Sequence, residues 1–270
     1  MDVKALRDVP PWEWPEGAGR MFVDILRDHQ AAEGDRLVAA ELAGDFTVIN
    51  DELADALLSI LRSGDESEKL RGQAAISLGP VLEHADMHGF EEADDVSIAE
   101  RTFHRIRESL RKLYMDAGVP KDVRRRILEA SVRAPQDWHR EAVRAAYRSD
   151  AEVWRLTAVF CMRFVRGFDE QILEALNSTN PDIHYEAVRA AGAWGVDAAW
   201  PHIAPLITSG DIDKPLLLAA IEAVASIRPR EAAEVLDDLT DSDDEDIVEA
   251  VSEAMAMAEG LADEDDERRR

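Results

Sequence analysis

Six side chains fall where a protein could grip an acidic partner: Arg101, Arg105, Lys112, His139, Arg140 and Arg144. The first three share a face with Glu108 in an amphipathic stretch near 97–116, whose apolar stripe is Ala99, Phe103, Ile106, Leu110 and Leu113. In the stretch near 138–148, Ala142, Val143 and Ala146 read as buried, and His139, Arg140 and Arg144 read as projecting outward, the two arginines one turn apart. Arginine matches carboxylate and phosphate with paired donors, so the chemistry on offer is electrostatic recognition and not bond making. These residues sit in a band from Glu100 to Asp150 with 13 Lys and Arg against eight Asp and Glu. The band is +5 in a chain of formal charge −26, so the remainder is −31. Within it, Arg124-Arg125-Arg126 reads as a solvated helix face.

Other constellations are weaker. His84-x-Asp86-x-His88 opens a segment 84–96, read as an inserted loop with Glu91, Glu92, Asp94 and Asp95, and could bring imidazole and carboxylate donors to one cation. A flexible acidic loop gives the same residues without a preformed site, so no metal and no cofactor are expected. A single cysteine, Cys161, excludes an intramolecular disulfide framework and any Cys-based zinc cluster. It lies in the apolar run Leu156 to Met162 and reads as a buried small hydrophobe. No catalytic arrangement of nucleophile and base stands out, which points away from an enzyme. The strong negative charge disfavours nucleic acid and anionic membranes. No apolar run approaches a membrane span, and Met1 to Asp8 lacks the basic-then-apolar pattern of a signal peptide, so a cytoplasmic location is expected.

The elements that must position these side chains repeat. Asp122-Val123 with Ala130, Glu152-Val153 with Phe160, and Asp182-Ile183 with Ala190 superimpose at a step of 30 residues. A unit of that size cannot bury its own apolar face and must stack on its neighbours. Apolar residues recur at three and four throughout, and β-type alternation is absent, so the body reads as helix. Paired helices are expected near 35–45 and 50–62, 67–83 and 97–116, 121–133 and 138–148, 151–165 and 169–177, 181–194 and 198–208, and 214–227 and 231–239, with a last helix near 245–259. Thr157, Ala187, Ala220 and Ala250 fall at equivalent positions, where small residues allow close helix approach. Asn180-Pro181 and Asp213-Lys214-Pro215 supply caps with proline in the first turn. Pro80 should kink or end its helix. Trp194 and Trp200 are expected to fill space between repeats, and the run Leu216-Leu217-Leu218 to make a fully buried helix. The segment Val9 to Pro15 is expected to be extended, with Trp12 and Trp14 covering the first repeat.

The window Asp182-Ile183-His184-Tyr185-Glu186-Ala187-Val188-Arg189-Ala190-Ala191, with Gly192 and Gly195 after it, resembles HEAT repeats of the short bacterial or archaeal type. The resemblance covers about 34–260. It implies an all-α, right-handed α-solenoid of about six stacked antiparallel helix pairs plus a C-terminal helix. Residues 1–33 would be an N-terminal cap, 34–260 the repeat array and 261–270 a charged, disordered tail. Such arrays usually bind proteins, which implies a non-catalytic scaffold docking an acidic segment along its second helices, with the basic band as anchor. Two other readings stay open. HEAT-like DNA glycosylases use cations and tryptophans, here Trp138, Arg140, Arg144 and Trp154, and a HEAT-like bilin lyase is the second. Deoxyhypusine hydroxylases build a di-iron site from His-Glu dipeptides, and none of the seven histidines here precedes a glutamate.

Overall fold

In the computed structural model, residues 2–90, 96–209 and 212–269 are described, with side chains to residue 262. All regular structure among them is helical: fifteen α-helices and four short 3-10 turns. The chain divides into two compact units, 1–139 and 140–270, and the division falls within the helix α8 (Asp137–Tyr147).

The first unit holds α1 (Ala18–Arg27), α2 (Glu33–Leu42), α3 (Asp51–Arg62), α4 (Glu68–Ser77), α5 (Gly79–His88), α6 (Glu100–Met115) and α7 (Lys121–Ser131). Helices α2, α4 and α7 stack in one row and α1, α3 and α6 in another, with α1 against α2, α3 against α4 and α6 against α7. Each row hides the stripe that the other leaves open, which is the stacking of an α-solenoid. In α3 the stripe is Leu53, Leu57, Leu58 and Leu61, all buried. Its start is fixed by Asn50, whose side-chain oxygen accepts from the N–H of Glu52 and of Leu53, both at 3.0 Å.

The second unit repeats the scheme. Helices α9 (Glu152–Met162), α11 (Pro181–Trp194), α13 (Lys214–Ile227) and α15 (Glu245–Arg269) form one row. Helices α10 (Asp169–Ala175), α12 (Trp200–Ile207) and α14 (Pro229–Leu236) back α11, α13 and α15 respectively. The expected caps are present: Asn180 accepts from Asp182 and Ile183 N–H at 2.9 and 3.2 Å, and Asp213 from Leu216 N–H at 2.9 Å. Gly195 ends α11 at φ 56°, a left-handed conformation that glycine adopts without a Cβ penalty. Trp194 links neighbouring repeats by donating its Nε1–H to the Met162 carbonyl at 2.6 Å. Cys161 is buried.

Several expectations are corrected. The stretch near 67–83 is two helices, because Gly79-Pro80 ends α4 and restarts the chain as α5, with proline in the first turn. The N-terminal 1–33 is not simply extended: 3-10 turns at Val3–Asp8 and Pro11–Glu13 precede α1. Only one indole covers apolar surface. Trp14 meets Phe22 edge-on at 5.5 Å and donates to the Leu6 and Val9 carbonyls at 3.1 and 2.9 Å, while Trp12 is 78% exposed. The helical backbone of α15 continues to Arg269, across the segment read as a tail.

Candidate functional site

On α6 the apolar stripe turns Phe103, Ile106 and Leu110 into the core, and helical geometry leaves Arg101, His104, Arg111 and Lys112 exposed on the opposite side. Arg101 and Arg111 have no ion pair among the described residues. Lys112 pairs with Glu108 one turn back at 2.8 Å, an exposed contact that a partner's carboxylate could replace at little cost. Arg105 is half-buried and engaged: it bonds Asp55 of α3 and donates to Thr102 Oγ1 at 3.1 Å.

His139 is placed inward, not outward. It is 0% exposed, its Nδ1 accepts the Gln136 N–H at 2.8 Å, and its Nε2 lies 3.0 Å from Ser131 Oγ. With Nδ1 accepting, Nε2 carries the proton and donates to the serine, so the ring is a neutral, satisfied core group. Burial chiefly, with Arg107 nearby, pushes its pKa down to about 3. The clue is in the spacing: 139, 142, 143 and 146 form an i, i+3, i+4, i+7 stripe with residues correctly read as buried.

The depressed value sets a sign. Unfolded His139 binds a proton below about pH 6.5 while the folded ring stays neutral down to about pH 3. Its stabilising contribution is therefore complete above pH 6.5 and is lost progressively as pH falls to about 3. At pH 5 the loss is about 2 kcal/mol. The stability difference between wild type and His139→Gln in urea titrations should be about 2 kcal/mol smaller at pH 5 than at pH 7.5. A pH-independent difference would mean the ring titrates normally.

In the second unit, Arg140 is exposed and donates to the Arg166 carbonyl at 3.2 Å, and Arg144 pairs with Glu141 at 2.7 Å. Arg144 also borders a hollow of about 390 Å³ with Tyr147, Phe168 and Asp169. Tyr147 donates to the Gln171 carbonyl at 3.3 Å, and burial with Glu174 nearby raises its pKa to about 12. A phenol held neutral in this way does not serve as a phenolate base at ordinary pH.

Two further readings change. Arg124-Arg125-Arg126 is half-buried, with the Arg125 side chain only 14% exposed and its pKa lowered chiefly by burial. Arg126 packs so near α4 that a Cβ at Gly72 would stand 3.3 Å from its Cγ. His84, Asp86 and His88 lie on α5 and not in a loop. The two rings stack at 4.1 Å, one turn apart, but Asp86 is about 200° around the helix from His84, so the three do not converge. Glu91, Glu92, Asp94 and Asp95 lie outside the described residues. Among the described residues no three His, Cys, Asp or Glu groups are placed to hold a metal ion. No described helix is long and apolar enough to cross a membrane.

The feature that sequence reasoning missed is a trough of about 670 Å³ between α11, α13 and α15. Leu218 of α13, with Leu216 and Leu217, is half-exposed, so α13 is not buried all round. Thr157, Ala187 and Ala220 are buried, the two alanines fully, but Ala250, the equivalent position in α15, is half-open and lines the trough. The four-residue similarity could not reveal this difference, because it depends on what stands opposite each alanine.

Residues 170–258 match the family model of HEAT repeats. The chain matches no curated protein. Among solved structures it is similar to Escherichia coli YibA, at 13% identity and TM-score 0.48, over 93% of this chain and 85% of that one. Human deoxyhypusine hydroxylase in complex with glycerol aligns at 16% identity and TM-score 0.41, over 96% and 88%. An engineered protein aligns at 16% and TM-score 0.37, over 91% and 98%.

Proposed function

We propose that this chain, whose residues 170–258 are HEAT repeats, is a non-catalytic scaffold that docks a protein partner through an acidic segment, with the exposed face of α6 as its anchor. The observation that carries this is the face itself: Arg101, Arg111 and Lys112 stand in solvent on one helix, two of them without an ion pair among the described residues. Cations already held by the fold, such as Arg105, are poorer anchors, because binding must first break the bond to Asp55. A guanidinium pair two to three turns apart fits an acidic segment lying along the helix.

The test is affinity capture with the wild type and the Arg101→Glu/Arg111→Glu variant, both sites being exposed and remote from the core. A nuclease-resistant protein retained by the wild type and lost with the variant supports the scaffold. Equal capture by a folded variant overturns the α6 anchor, and nuclease-sensitive capture replaces it with the nucleic-acid reading.

A further inference from the structure

The trough of the second unit has the chemistry of a second docking surface, opposite in charge to α6. Its floor is apolar because Ala219, Ala250 and Ala254 stand where longer side chains would fill the seam between α13 and α15. Leu218 and Met257 remain partly exposed along it, and Met257 is a flexible side chain that adapts to varied apolar surfaces. An open furrow between helices stacked in one row suits an amphipathic helix laid into it.

The rim selects the sign of the occupant. Glu222, Glu249 and Glu253 are exposed at the trough and have no ion pair among the described residues. The two cations at its edge are engaged: Lys214 binds Asp244 at 2.7 Å and Asp246 at 2.5 Å, and Arg189 lies 5.7 Å over the Tyr185 ring. The sequence around the rim reinforces the field, since residues 231–262 contain 12 Asp and Glu and no Lys or Arg. An acidic or neutral occupant would leave these carboxylates unmatched, whereas a cationic one offsets them and buries its apolar face at once.

We infer that the trough between α11, α13 and α15 docks a cationic amphipathic helix of a partner protein, with its apolar side chains on the alanine floor and its Lys or Arg against Glu222, Glu249 and Glu253. The occupant differs from that of α6 and the two surfaces lie in different units, so each reading stands or falls alone.

The probe is a fluorescein-labelled peptide of about 18 residues with Leu and Lys at helical spacing, titrated with the full chain by anisotropy in about 0.15 M salt. A peptide of equal charge with Ser for Leu and one with Glu for Lys serve as comparisons. The Leu/Lys peptide should bind at least about tenfold tighter than either. Ala250→Trp fills the floor without altering charge and should weaken binding about tenfold. Glu249→Gln/Glu253→Gln should weaken it about fivefold and flatten its salt dependence. Asp237→Asn/Asp238→Asn removes the same charge outside the trough and should stay within about twofold. Equal binding of the Ser peptide, or equal weakening by the Asp237/Asp238 variant, would reduce the effect to bulk charge and overturn the site. Unchanged binding by a folded Ala250→Trp variant would overturn it as well, and so would peptide-independent self-association through the trough.

Discussion

Leucine at position 192 is expected to cost the second unit about 3 kcal/mol or more in urea denaturation. Gly192 faces α13 at a crossing so close that a bare Cβ would stand 2.9 Å from both Cα and Cβ of Ala223. The obstacle is backbone, which cannot rotate aside, so even alanine requires α11 and α13 to separate. Separation opens space along Val188, Ala191, Ala220 and Val224, all buried, and close packing resists it. Ala193, the next residue, is exposed, and Ala193→Leu should stay within about 0.5 kcal/mol. A Gly192→Leu midpoint as mild as that of Ala193→Leu would mean that the two helices do not approach this closely.

The second large effect is expected at the ion pair between Arg36 of α2 and Glu66, in the connection from α3 to α4. The guanidinium meets the carboxylate with two bonds, 2.6 and 2.7 Å, and donates a third to the Leu26 carbonyl at 3.0 Å. Side-chain exposures of 7% and 9% leave neither group much water. Glu66→Ala should cost about 3–5 kcal/mol, because it strands a buried cation. Replacing both partners, as Arg36→Met/Glu66→Leu, should recover most of that loss, since the stranded charge accounts for more of the cost than the missing attraction. The bonds from Arg36 also hold the Glu66 carboxyl below its usual 4.5. Its contribution is therefore present above about pH 4.5 and lost as pH falls through the lower folded value. A double variant no more stable than Glu66→Ala would show that the geometry of the pair, and not its charge, is what the fold needs.

Much of the fold was legible. The starts of α11 and α13 follow from Asn180 and Asp213, whose side chains bond N–H groups two or three residues ahead. Pro80 marked the break between α4 and α5 for an equally local reason. The candidate site was legible only in part. Arg101 and Lys112 lie in solvent as their helix phase required, whereas His139 had the phase of a core residue and was misread because its type is polar. Of the two N-terminal indoles, nothing in Trp12-Glu13-Trp14 says which one finds Phe22.

The sequence by itself determined most of the helices, the caps of α11 and α13 and the 30-residue step that makes the helices stack, because helix periodicity and capping involve residues within one or two turns of each other. It also set the opposite charges of the band at 100–150 and the stretch at 231–262. Only the tertiary structure decided which cations stay free. Arg105 is held by Asp55 and Arg133 by Glu83, each 50 residues away, and Arg36 by a carboxylate 30 residues on. It alone also decided that Ala250 opens into a trough while Ala220 is sealed. The physical reason is the same for both: ion pairing and burial are properties of what stands across a packed interface, and no local spacing encodes that neighbour.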